Sequence, residues 1–282
     1  FCGNDNMAMG AVSALEDLGL TGKVQVSLGK RMLVVFCADN GVVAQGVTQT
    51  DSSVTAAVAC SLARGSSTVC PMARAARCEV LPVDVGILNF HGYAGVLNRR
   101  VQNSTGDISL GPAMSREACI QAMLAGAELA REQRQAGVDI LAGGEMGIGN
   151  TTTSSAVASV LLGVEPERVT GRGAGLSTDG LARKVEAIRR AIAVNAPDPQ
   201  DPVDVLAKVG GLDLAALCGE EALEEYLERG EVSGRQLVSL IARRALFPCY
   251  FGSALKLEGV EELLRGLEKY TRDIRWPAEF AA

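Results

Sequence analysis

The stretch Val138-Asp139-Ile140-Leu141-Ala142-Gly143-Gly144-Glu145-Met146-Gly147-Ile148-Gly149-Asn150-Thr151-Thr152 decides how this chain is read. Its first five residues form an apolar run with the length and composition of a buried strand. A glycine-rich loop follows, and Thr153 to Leu162 is a run of small residues suited to a helix. Strand, glycine loop and helix start together form the place where an α/β protein holds a phosphate. The first amides of a helix have no partner within it, and the helix dipole adds partial positive charge there. Glycines let the backbone approach an anion with no Cβ in the way.

The loop comes close to a triphosphate-binding P-loop. Gly144 and Gly149 have the motif's spacing, and Thr151 stands where the motif has Ser or Thr. The lysine position holds Asn150, however, so the point charge for β- and γ-phosphates is missing and an ATPase or GTPase loop is excluded. A monophosphate carries less charge and fits better. A tight strand–helix turn with no ligand uses the same glycines, and on this stretch alone both readings stand.

Working outward, Met32–Ala38 and Glu79–Val85 are two more apolar runs rich in Val and Leu, each ending in a polar or glycine-bearing turn. Such runs read as strands of a parallel sheet buried on both faces. Ligands of open parallel sheets collect beyond the carboxyl ends of the strands. Asp39, Asp84 and Glu145 therefore gather on one edge as a constellation. Helices are expected over Ser52–Ala63, from Ser115 as N-cap to Gln135, over Thr178–Asn195, over Val203–Val209 after Asp201-Pro202, and over Leu212–Leu217 after a Gly210-Gly211 break.

Composition narrows the function classes. Hydrophobic residues are 48% of the chain, enough for a real core, while aromatics are only 4% and Ala, Gly, Val and Leu abound, as suits α/β layers. With a net charge of −6 and no long basic run, no nucleic-acid footprint is expected. No apolar stretch reaches membrane-spanning length and no signal peptide is read at the start, so a cytoplasmic protein without membrane partners is expected. Eight cysteines are scattered with no C-x-x-C pair. They read as small buried hydrophobes in a reducing compartment. The single His91 reads as a surface-loop residue, and no metal or cofactor is assigned.

The texture changes near Gly219, beyond which Glu220 to Arg235 is dense in charge. An apolar run, 245–254, reads as a strand and 259–270 as a helix. The first 26 residues differ again, with a helix-like run from Met7 to Leu18.

Several blocks in fixed order carry a resemblance. They are Val35-Phe36-Cys37-Ala38-Asp39-Asn40-Gly41-Val42, Gly46-Val47-Thr48 through Val54-Thr55-Ala56, Val83-Asp84-Val85-Gly86-Ile87, and Gly111-Pro112-Ala113-Met114-Ser115. Further on come Gly144 through Thr152, Thr170-Gly171-Arg172-Gly173, and Lys208-Val209-Gly210-Gly211-Leu212-Asp213-Leu214. From about residue 27 to 219 the chain resembles the nicotinate-nucleotide:dimethylbenzimidazole phosphoribosyltransferases of cobalamin lower-ligand synthesis. The resemblance implies an α/β, Rossmann-like three-layer fold with a mainly parallel sheet, incomplete relative to the family and followed by a C-terminal α/β segment. It implies a homodimer that binds nicotinate mononucleotide and a benzimidazole base. Gly147, Gly149, Asn150, Thr151 and Thr152 would hold the phosphate. Glu145 and Lys184 match positions at the family's active site, and Thr50 stands near the base, with Val58 a further lining residue. Asp39, Asp84, Gly171 and Gly173 complete the expected substrate site. Asn40 stands where the family's Ala-Asp-His-Gly-Val-like block has histidine.

In the reaction that the resemblance implies, a benzimidazole nitrogen attacks the anomeric carbon as nicotinate leaves, so carboxylates are wanted to take a proton and steady positive charge. The family's general base is a glutamate in a Gly-Glu-Gly-Thr-Gly-like motif near the C-terminus. No such run occurs here, nor does the family's N-terminal Lys-Pro-Pro-Gly-Ser-Leu-Gly block. Impaired turnover is therefore expected, with Glu145 in a supporting role. Residues 1–26 resemble a fragment of a periplasmic sugar-binding protein. Residues 220–282 are similar to a piece of a ribosomal-protection or elongation-factor-type translational GTPase. Three readings follow: a phosphoribosyltransferase, a catalytically silent nucleotide-binding composite, and a translation-factor relative.

Overall fold

A computed structural model describes residues 29–217. Their core is a four-stranded sheet, β1 (Lys30–Ala38), β2 (Cys78–Gly86), β3 (Leu97–Asn98) and β4 (Val138–Met146). The spatial order is β3-β2-β1-β4 and every pairing is parallel. This is the α/β architecture expected. The helices are α1 (Ser53–Ala63), α2 (Val69–Ala75), α3 (Arg116–Gln135), α4 (Asn150–Leu162), α5 (Pro166–Val169), α6 (Thr178–Asn195), α7 (Pro202–Val209) and α8 (Leu212–Ala216), with a short 3-10 helix at Gly41–Gln45.

The three layers follow from the period of two along β1. Met32, Val34, Phe36 and Ala38 enter one hydrophobic core, which takes residues of α3, α4, α6, α7 and α8. Val35 and Cys37 point the other way, into a smaller core with Ala59, Leu62 and Cys70 from α1 and α2. A strand covered on both faces needs no polar alternation, which is why β1 reads as one apolar run. The cysteines behave as small hydrophobes: Cys37, Cys70 and Cys119 are buried, and the five described cysteines are free thiols. Burial pushes the Cys37 thiol up to about 12.

Helix ends match their capping residues. Ser115 Oγ accepts from Ala118 N at 3.1 Å and Ser177 Oγ from Gly180 N at 3.1 Å. Asp201 Oδ1 takes both Val203 N at 3.1 Å and Asp204 N at 3.0 Å ahead of Pro202. The Gly210-Gly211 break separates α7 from α8 as read.

One boundary is corrected. The strand expected to stop at Ala142 runs on to Met146, so Gly143 to Met146 belong to β4 and not to a loop. Parallel pairing of Val34 with Gly143, Val35 with Gly144, Phe36 with Glu145 and Cys37 with Met146 overrides the weak strand propensity of glycine. The turn shrinks to Gly147-Ile148-Gly149, and α4 opens at Asn150 rather than Thr153. The 3-10 helix, α2, β3 and α5 have no counterpart in the sequence reading; they are short and carry little periodicity. The features read at 7–18, 220–235, 245–254 and 259–270 lie outside the described residues.

Candidate active site

Parallel strands bring Asp39, Asp84 and Glu145 to one edge, as expected, but their surroundings differ. Asp84 Oδ1 accepts from Gly86 N at 3.0 Å and Ile87 N at 2.8 Å. Its Oδ2 takes Arg100 Nε at 3.1 Å and Nη2 at 2.9 Å. Asp39 Oδ1 accepts from Thr55 Oγ1 at 2.6 Å and Oδ2 from Leu88 N at 2.8 Å. Burial raises the Asp39 carboxyl, and these donors oppose the shift. Asp84 pins the start of the loop after β2, and Asp39 ties α1 and that same loop to the end of β1. Asn40 is buried as well. Its Nδ2 donates to Ile148 O at 3.2 Å, and its Oδ1 accepts from Thr153 Oγ1 at 3.4 Å, so it ties β1 to the turn before α4.

That turn is tight. Gly149 adopts φ +91°, a conformation open to glycine. Ile148 N donates to Thr55 Oγ1 at 3.1 Å, Asn150 N to Gly147 O at 3.2 Å, and Thr152 N to Gly149 O at 2.9 Å. Thr151 N donates to Asn150 Oδ1 at 2.7 Å. The amides of Ile148, Asn150, Thr151 and Thr152 therefore already have partners. What is unmet is a side chain: Thr152 Oγ1 is buried and has none.

The positive charge comes from α6. Lys184 is 1% exposed, the bulkiest fully buried side chain among the described residues. Its Nζ donates to Thr151 Oγ1 at 2.7 Å and Gly171 O at 3.2 Å, both neutral. No ion pair of Lys184 occurs among the described residues, and burial lowers its pKa. Gly173, at φ +55°, brings its backbone against the same two groups; a Cβ there would lie 3.1 Å from Thr151 Oγ1 and 3.5 Å from Lys184 Nζ. Thr151, Gly171, Gly173 and Lys184 thus converge, though Gly171 is 20 residues from Thr151 in sequence.

Glu145 reaches this group through Asn150, whose Nδ2 donates to Glu145 Oε2. Behind Glu145 lies Asp213, near the start of α8, which is 1% exposed. In the sequence Asp213 stands out only as part of the block from Lys208 to Leu214. A carboxylate in a first helical turn reads as an ordinary dipole partner, and nothing in the local pattern signals its burial. Thr50 is exposed and its carbonyl accepts from Thr48 Oγ1 at 2.6 Å; no described bond links it to the other site residues. Val58 packs on the smaller core, and His91 is an exposed loop residue. Among the described residues, no group of three or more His, Cys, Asp or Glu is placed to hold a metal ion, and no helix is long and apolar enough to cross a membrane.

Residues 6–222 match a family model described as phosphoribosyltransferase. The nicotinate-nucleotide–dimethylbenzimidazole phosphoribosyltransferase of Ruminiclostridium cellulolyticum is 43% identical over 222 residues, 76% of this chain and 63% of that protein. The chain belongs to the nicotinate-nucleotide–dimethylbenzimidazole phosphoribosyltransferase family. The enzyme of that name from Desulforudis audaxviator is 44% identical over 216 residues, 74% of this chain and 61% of its own length. A crystal structure of CobT from Thermus thermophilus superposes with a TM-score of 0.65 at 40% identity, covering 73% of this chain and 63% of that one. The chain thus spans just over three-fifths of the length of these family members. The family match reaches back to residue 6, into the segment read as receptor-like. Nothing in these matches supports the sugar-binding reading of residues 1–26 or the GTPase reading of residues 220–282.

Proposed function

We propose that the chain binds nicotinate mononucleotide and serves transfer of its phosphoribosyl group to 5,6-dimethylbenzimidazole, giving α-ribazole 5'-phosphate and nicotinate. One observation carries this reading: the buried Lys184 ammonium has neutral partners only, beside Thr151 and the start of α4. A buried cation without an anion is costly, and a phosphate supplies both the charge and the acceptors. The donor phosphate sits between Lys184, Thr151 and the Gly171–Gly173 backbone, with Thr152 lending its hydroxyl. The family membership supports the choice of mononucleotide over other phosphates.

In the transfer, a benzimidazole nitrogen forms a bond to the anomeric carbon as the bond to the nicotinate nitrogen breaks. The other benzimidazole nitrogen then loses its proton. Glu145, aligned by Asn150, is the anion that steadies the positive charge developing at the anomeric carbon. The 282 residues hold no Gly-Glu-Gly-Thr-Gly-like run, so by themselves they release nicotinate slowly. A positioned general base is worth roughly 10²–10⁴-fold in rate. A homodimer and a cytoplasmic setting belong to the same reading.

Titration of the 282-residue chain with nicotinate mononucleotide, followed by an assay of nicotinate release with dimethylbenzimidazole present, tests it. Saturable binding with slow release is expected. No binding refutes the reading, and release at a rate usual for enzymes refutes the weight given to the missing glutamate.

A further inference from the structure

Asp213 is the most unusual polar group in the described fold. Its Oδ1 accepts from Leu214 N at 2.9 Å, but Oδ2 is buried and has no donor. It makes no ion pair among the described residues. The elements packed against α8 bring it no cation either. β4 brings Glu145, β1 brings Cys37 with Asp39 at its end, and β2 brings Asp84, whose charge Arg100 already offsets. From α3, the one titratable residue on the buried face is Cys119, and α4 faces this region with the neutral Thr153. Gly147 and Gly211 let the backbone close tightly on this carboxyl: a Cβ at Gly147 would lie 2.9 Å from Oδ2.

The side chain that Asp213 faces is Glu145. Two carboxylates can only repel each other. One proton between them turns the same contact into a hydrogen bond and gives Oδ2 a role. We propose that Asp213 is held as a neutral carboxylic acid that donates from Oδ2 to the Glu145 carboxylate, and so acts as a positioning residue for it. Glu145 is then held from two sides, by Asp213 and by Asn150, and Asn150 in turn holds the amide of Thr151. A chain of hydrogen bonds runs from Asp213 through Glu145 and Asn150 to Thr151 and Lys184. Burial, reinforced by the Glu145 charge, pushes the Asp213 carboxyl up to about 8. Above that pH the pair becomes two anions and Glu145 is driven off its Asn150 bond.

The neutral acid stands independently of the ligand; its effect on donor binding rests on the proposed function. The test therefore has two readouts. Infrared spectra of the chain at pH 7 should contain a protonated-carboxyl carbonyl band that Asp213→Asn removes. In Glu145→Gln the band should persist, with its titration midpoint moved to lower pH, because the neighbouring charge is gone. That variant keeps the test open should Asp213→Asn fail to fold. In titrations with nicotinate mononucleotide, wild-type affinity should fall by about tenfold per pH unit above about pH 8, as for a single proton, while Asp213→Asn, whose amide always donates, should show no such fall. Absence of the band, a midpoint unmoved by Glu145→Gln, or an unchanged pH limb in Asp213→Asn overturns the proposal. The band without any mononucleotide binding upholds the neutral acid and refutes the proposed substrate instead.

Discussion

At the ends of β1 and β2 every carboxylate oxygen has a donor, whereas across the same edge, on α8 and α6, a buried acid and a buried lysine are left without an oppositely charged partner among the described residues. Asp39 and Asp84 are held by loop amides, Thr55 and Arg100. Lys184 and Asp213 are equally buried, yet neither has an oppositely charged partner in the described fold. Folded chains satisfy nearly all their buried polar groups, so the exceptions mark where something else is to be bound or a proton held. In the function proposed above, the first half of the edge serves as scaffold and the second half receives the ligand.

The difference breaks first at Asp84. Asp84→Ala strips acceptors from Gly86 N and Ile87 N and leaves Arg100 without its anionic partner. Each buried amide left unpaired costs about 1–3 kcal/mol. Urea denaturation should show a loss of several such units, the largest effect of any single change on this edge.

Asp213→Asn should act in the opposite direction. The Asp213 carboxyl is raised from 3.8 to about 8 in the folded chain. Below the lower value both states hold the proton and its contribution is complete. Between the two values the unfolded chain releases the proton and the folded chain keeps it, so stability falls as pH rises; above about 8 the slope ends. Denaturation midpoints measured at stepped pH should decline through this window in wild type. The decline should be flatter in Asp213→Asn, which should be the more stable of the two at pH 8.

Gly149→Ala sharpens the boundary between the halves. At φ +91° an alanine is strained by about 1–2 kcal/mol, and its Cβ would lie 3.0 Å from Val43 Cγ2. Thermal unfolding should report that loss. Outside both regions, Glu132→Gln removes a half-exposed ion pair with Arg99 and should shift stability by no more than about 1 kcal/mol. A larger shift would mean that surface charge, not the buried edge, dominates the electrostatics.

The sheet was legible because β1, β2 and β4 are apolar runs ending in turn residues, and α3 and α7 because Ser115 and Asp201-Pro202 announce them. The convergence of Glu145, Thr151 and Lys184 followed from the family motifs. What stayed hidden was set by tertiary pairing. Gly143 and Gly144 look like a loop until β1 supplies their ladder partners. The amides of the turn look free until Thr55, 93 residues away from Ile148 in sequence, takes one of them. Asp213 looks like a solvated first-turn acid until α3, β1, β2 and β4 close over α8.

The central claim is that the unpaired Lys184 exists to receive a phosphate. Equilibrium binding of nicotinate mononucleotide and of its phosphate-free riboside, each to wild type and to Lys184→Met, tests it most directly. Wild type should prefer the mononucleotide strongly. In Lys184→Met the fold should persist while the preference drops by roughly 10–100-fold, the worth of about 1.5–3 kcal/mol for a hydrogen bond to a charged group. An unchanged preference in the variant would contradict the claim and move the phosphate elsewhere.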